Sequence, residues 1–208
     1  MTRIRFIALA TFFMVAIAAI QIYFARHHDN GQTTSGGGTA ITGDMAGVPI
    51  GGPFTLVNHE GETVTQADYA DKHKLIYFGF TYCPAICPTE LQKISEAYAQ
   101  LPTEIQEQLH LLFISVDPER DTVPVMAEYV SLFHPALVGL TGSVDQVEAA
   151  KQEYRVYAAK FQDETMSDYT VDHSSFIYLM SPDDTLRSIY KIETPAAEIV
   201  ADILAKLN

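Results

Sequence analysis

The chain has 208 residues, enough for one ordinary domain with an appendage, and its composition is that of a globular protein, 48% hydrophobic and 19% charged. The formal charge of −13 is unevenly spread: residues 1–28 carry Arg3, Arg5 and Arg26 and no acid, while the remainder holds 10 basic and 26 acidic residues. So acidic a body argues against nucleic-acid binding, which needs a basic face, and against lying on an anionic membrane surface.

The first element is an apolar run over 6–25, broken only by Thr11 and Gln21. Twenty helical residues span about 30 Å, one hydrocarbon core, and Arg3 and Arg5 ahead of the run favour a cytoplasmic amino terminus. A cleaved signal peptide has a shorter apolar region, so residues 1–26 read as a single retained transmembrane anchor. Residues 27–48 are polar and rich in Gly, Ser and Thr. They read as a flexible linker with a reach of about 25 Å. Residues 49–208 remain as the folded domain.

Within that domain, 54–64 reads as a small hairpin turning at Glu60 and Gly61. The apolar run 75–80 reads as a buried strand, and a helix is expected from about Pro88 to Gln100. A second buried strand covers 109–116. Asp121 or Thr122 can cap a helix across Met126, Tyr129, Val130 and Phe133. A short strand at 137–141 precedes a helix capped by Ser143 and running to about Arg155. Residues 163–173 read as a long polar loop. Two strands, 175–180 and 186–192, pair across the turn 181–184, and a last helix begins near Pro195. Strands alternating with helices, then a terminal hairpin and a helix, predict an α/β fold of thioredoxin-like element order around one sheet.

The chemistry concentrates in Cys83-Pro-Ala-Ile-Cys87, which holds the only two cysteines. The C-x-x-x-C spacing lets two sulfurs open toward a metal, and a helix amino terminus beside them stabilises thiolate. Thiolates select soft metals such as Cu(I). Structural zinc takes four protein ligands, which two cysteines and seven histidines without an H-x-x-x-H pattern do not supply. A purely structural disulfide gains only about 2 kcal/mol from so short a ring. His27, His28, His59, His73, His110 and His134 read as solvated or structural, with His59 and His73 in turns. His173 ends the polar loop just ahead of an apolar strand, where it can meet the cysteine loop, and Asp172 beside it can orient the ring. On these residues alone, metal binding and thiol–disulfide exchange both stay open.

Three segments then carry a resemblance: 77–91 around Cys83 and Cys87, 115–122 (SVDPERDT) and 169–174 (YTVDHS). In this order they resemble the Sco/SenC family from about Pro49 to the end. The resemblance implies a thioredoxin-like domain on the outer face of an energy-transducing membrane. It implies copper, Cu(I) or Cu(II), held by Cys83, Cys87 and His173. It also implies a role in assembling the binuclear copper centre of cytochrome c oxidase subunit II, with a copper donor chaperone upstream. The absence of an Arg/Ser-rich presequence favours a bacterial inner membrane with the domain in the periplasm. Many members carry an acid where this chain has Ala85, which bears on metal preference and partner choice. Asp117 reads as a site-shaping residue, and Arg120 with Asp121 as a structural pair. The leading expectation is a metallochaperone. The alternative is a thiol–disulfide oxidoreductase in which Cys83 and Cys87 are redox-active and reduce the acceptor's copper-ligand cysteines. A peroxidase is disfavoured because Phe80 and Tyr82 do not make a polar pocket.

Overall fold

The computed structural model describes residues 49–164 and 166–207. The expected anchor, the linker, His27 and His28 lie outside the described residues. Among the described residues no helix is long and apolar enough to cross a membrane. The elements run β1 (Thr55–Asn58), β2 (Thr63–Thr65), a 3-10 turn (Gln66–Tyr69), β3 (His73–Gly79), α1 (Ile86–Gln100), α2 (Thr103–Gln106), β4 (Leu109–Ser115), α3 (Val123–Val130), β5 (Leu137–Thr141), α4 (Val144–Glu153), β6 (Ala158–Phe161), β7 (Thr170–His173), β8 (Ile177–Met180), β9 (Leu186–Tyr190) and α5 (Ala196–Leu207).

Seven strands form one sheet in the order β2-β1-β5-β4-β3-β8-β9. The three inner strands β5, β4 and β3 are parallel; β8 pairs antiparallel to β3, and β1 antiparallel to β5. Parallel strands covered on both faces read as unbroken apolar runs, and β3 and β4 are buried along almost their whole length. Leu75, Ile76, Tyr77 and Phe78 are each at most 1% exposed. Burying such side chains stabilises the fold by roughly 1.5–3 kcal/mol apiece.

Tyr77, Phe113 and Gly139 are register partners on one face. Over that face lie α1, whose Cys87 sulfur meets Gly79, and α3, whose Met126 and Val130 meet Gly139. On the other face Phe78 packs against Tyr154 at the end of α4. Ser143 caps α4 as expected, in a box in which it exchanges hydrogen bonds with Gln146. This helix stops at Glu153, because Arg155 takes a left-handed backbone, φ 54°. α3 stops at Val130, short of Phe133, and the Thr122 side chain at its start makes no capping bond.

Two local expectations are corrected. The stretch read as a polar loop over 163–173 is partly a ribbon, β6 paired antiparallel to β7, separate from the main sheet. His173 is therefore the last residue of a strand, paired with Ala158. His73, expected in a turn, opens β3. At the far end of the sheet Gly51, at φ 100°, donates its amide to the Glu153 carbonyl. That backbone conformation strains any L side chain, and a Cβ there would also lie 3.0 Å from the Asp184 carbonyl oxygen and 2.5 Å from Met180 Cε, so the position favours glycine. Met180 pairs with Lys74 near the start of β3, and the cysteines follow β3 at its other end.

Candidate metal centre

The cysteines sit where β3 turns into α1. Ala85 is the exposed N-cap residue and has no side chain able to cap, so the first turn is closed otherwise: the Cys87 amide donates to Cys83 Sγ at 3.3 Å. Sulfur thus takes the place of the usual capping oxygen. Cys83 is half-buried and Cys87 fully buried, and both are free thiols. Position 85 is hence a helix N-cap, where a carboxylate side chain would compete with Cys83 for the same amides.

Position sets the two sulfurs apart electrostatically. A hydrogen bond from the Cys87 thiol is the largest influence on Cys83. With the His173 ring and the amides of Cys87 and Ala85, it pulls the Cys83 thiol far below its ordinary range, against the effect of burial. Cys87 moves the opposite way, pushed up by that same bond to Cys83 and by burial. Cys83 is therefore the accessible thiolate and Cys87 the proton-holding partner beneath it.

His173 completes the group. Its Nε2 lies 3.5 Å from Cys87 Sγ, across 86 residues of sequence. Its Nδ1 lies 3.0 Å from the Ser174 carbonyl oxygen. A carbonyl only accepts, so Nδ1 donates to it, which leaves Nε2 facing the sulfurs, as an N–H donor to thiolate when it carries a proton and as a metal ligand when it does not. The expected orienter, Asp172, is instead exposed on the strand. The ring is seated edge-on to Phe80, centroids 5.7 Å apart, and to Tyr77, 6.3 Å apart. The three expected donors are therefore neighbours. They are adjacent rather than gathered, since among the described residues no three His, Cys, Asp or Glu side chains already form a metal-holding group.

The supporting residues were only partly expected. Tyr77 Oη donates to Cys87 Sγ at 3.7 Å from the floor of the site. Gly79 gives the Cys87 sulfur room, since a Cβ there would lie 2.9 Å from Sγ. Tyr77 and Gly79 are two apart on β3, and that period-2 spacing is the signal that puts both under α1. Buried Asp121 accepts from Thr81 Oγ1 and Ser115 Oγ, each at 2.6 Å, and ties the start of the cysteine loop to the end of β4. Burial raises its carboxyl above the usual range. Arg120 does not pair with Asp121; its Nε donates to Asp117 Oδ2 at 2.5 Å. Behind Cys87, buried Glu90 accepts from Lys93 Nζ at 2.7 Å.

An α/β sheet with a strand–dithiol–helix turn and a histidine facing the sulfurs defines a thioredoxin-like protein whose dithiol has acquired an imidazole neighbour. The chain belongs to the SCO1/SenC family, whose model matches residues 43–208. It is 47% identical over 141 residues to the mitochondrial SCO1 homolog 1 of Arabidopsis thaliana, covering 68% of this chain and 42% of that one. Against the mitochondrial SCO1 homolog of Homo sapiens it is 42% identical over 160 residues, covering 76% and 53%. The chain spans about half the length of these curated relatives. The copper-bound crystal structure of Arabidopsis thaliana ScoI superposes with a TM-score of 0.70 at 42% identity, covering 76% of this chain and 98% of that one. Copper-bound yeast Sco1 gives 0.71 at 38% identity, covering 77% and 89%.

Proposed function

We propose that this chain is a copper metallochaperone. Cys83, Cys87 and His173 hold copper as cargo, and the acceptor is the binuclear centre of cytochrome c oxidase subunit II. The observation that carries the reading is His173 Nε2 lying 3.5 Å from the Cys87 sulfur, its Nδ1 tied to the Ser174 carbonyl, beside a Cys83 thiol shifted toward thiolate. The donor set is soft, as Cu(I) requires, and the imidazole extends it toward Cu(II). The copper-bound relatives at 42% and 38% identity support the same cargo.

Transfer then follows from the asymmetry of the sulfurs. Cys83 is the accessible ligand, so an incoming acceptor thiolate exchanges there first, while Cys87 and His173 keep hold until the acceptor's second ligand arrives. We further propose that residues 1–26 anchor the domain in an energy-transducing inner membrane, single-pass, with 49–208 in the periplasm. The linker 27–48 then gives it reach to an acceptor in the same membrane, and a copper donor chaperone loads it. Titration of the reduced protein with Cu(I) and Cu(II) against competing chelators tests the reading. Wild type binds both, and His173→Ala loses most Cu(II) affinity while keeping two sulfurs for Cu(I). Absence of binding in both oxidation states overturns it.

A second reading has its own support. A half-buried, low-pKa thiolate over a fully buried thiol is the arrangement of a disulfide reductase, in which the former attacks and the latter resolves. His173→Ala leaves such exchange largely intact, so one variant separates the two activities.

A further inference from the structure

The ribbon that carries His173 is a sheet of two strands only, hydrogen-bonded to itself and not to the main sheet. A lone two-stranded ribbon is marginally stable in water, so its place over the cysteines needs ties from elsewhere. Arg120 makes several at once. Its Nε donates to Asp117 Oδ2 at 2.5 Å and its Nη1 to the Tyr169 carbonyl at 2.8 Å. Its guanidinium carbon lies 3.6 Å from the centroid of the Tyr169 ring and 4.8 Å from that of Tyr82. Tyr169 Oη closes the circuit by donating to Asp117 Oδ1 at 2.8 Å. Tyr82 precedes Cys83, and Tyr169 leads into β7, which ends at His173.

We infer that Arg120 is a positioning residue for the copper site: one planar cation, stacked on the cysteine loop and the ribbon together, sets the distance from His173 to the sulfurs. The inference rests on the copper reading above for its metal arm. A planar guanidinium can stack and donate in two directions at the same time, and a lysine ammonium cannot. Lysine keeps the charge opposite Asp117 but gives up the bond to the Tyr169 carbonyl or the stacking. Groups that orient a metal ligand typically alter metal affinity by roughly 10–100-fold when replaced. The geometry assigns Arg120 to that class, acting through His173 and touching no donor itself.

The test uses the full-length protein with Arg120→Lys, alone and combined with His173→Ala. Cu(II) affinity is read by chelator competition, and amide exchange of the metal-free protein is read residue by residue. Arg120→Lys weakens Cu(II) binding at least tenfold in the wild-type background and has no further effect once His173 is gone. In the metal-free protein it speeds exchange at 170–173 while β3 and β4 keep wild-type protection. An equal loss of affinity with and without His173, or faster exchange spread evenly over the main sheet, overturns the inference and makes Arg120 a general structural residue. If wild type takes up no copper, the proposed function fails. The exchange arm still decides the clamp, which stands if 170–173 alone is loosened and falls otherwise.

Discussion

Gly79 sits under the Cys87 sulfur, and replacing it with alanine is a direct measure of how tightly the site is built. The added Cβ would lie 2.9 Å from Cys87 Sγ and 3.0 Å from both Phe113 Cε2 and Tyr77 Cε1. Attractive contacts between such atoms sit near 3.5–4.0 Å, so the neighbours must retreat by roughly 0.5–1 Å. The backbone has little freedom to yield, because Gly79 is paired with Ser115 and the strand is flanked by β4 and β8. Overpacking of this kind costs about 1–3 kcal/mol. At about 2–4 °C per kcal/mol for a domain of this size, Gly79→Ala melts roughly 2–12 °C below wild type. The sulfur is also the group closest to the new carbon, so its 3.5 Å relation to His173 Nε2 is disturbed. Calorimetry of the metal-free protein reads the first effect, and copper titration against a chelator reads the second, with a loss of about tenfold expected. A variant that melts and binds like wild type refutes the packing argument. One that melts lower yet binds copper unchanged refutes the link between Gly79 and the position of the sulfur.

Limiting iodoacetamide is expected to label Cys83 alone. Because Cys83 is already thiolate, its rate stays nearly flat from about pH 8 down to about pH 5 instead of falling tenfold per unit, as an ordinary thiol's does; peptide mapping that finds Cys87 modified first goes against the assignment. Lys93→Met leaves Glu90 buried without its cation, at a cost of roughly 3–5 kcal/mol. Burial already raises the Glu90 carboxyl, so the loss in Lys93→Met is smallest at low pH and grows as pH climbs through the folded-state pKa, which denaturant titrations at several pH values check. Asp202 is the reverse case. Burial pushes its carboxyl up, but bonds from Lys206, Ser188 and Tyr190 outweigh that and leave it lowered. Its contribution to stability is present above the unfolded carboxylate pKa near 4 and fades as pH falls through the folded value, so Asp202→Asn lowers the melting temperature at pH 7 and converges on wild type in acid.

The main sheet was legible in the sequence because its inner strands are buried on both faces and read as unbroken apolar runs; β5 at Leu137–Thr141 agrees residue for residue. The ribbon was not legible. β6 and β7 are four residues each and half-exposed, so neither a long apolar run nor a clean alternation marks them. The cysteine loop declared itself through residue type alone. The approach of His173 was legible only as a candidate from its place ahead of an apolar strand, strengthened by the family resemblance, since contact across 86 residues belongs to tertiary structure. The partner of Arg120 was misread because adjacency in sequence suggested Asp121. The backbone after β4 turns Asp121 inward to Thr81 and Ser115 and leaves Asp117, three residues back, to meet the guanidinium. Asp172 failed as orienter for a related reason: successive strand side chains point to opposite faces, so the neighbour of an inward histidine faces water.

The fixed position of Gly51 has a consequence for traffic around the molecule. Its contacts with Glu153 and Met180 hold the start of the domain beside the head of β3, while the sulfurs sit past the tail of that strand. Five residue steps along the strand, from Lys74 to Gly79, separate the two poles by about 16 Å. A load applied at Gly51 therefore falls on one pole and leaves the other clear, so holding the domain in place and opening it to a visitor are not competing demands.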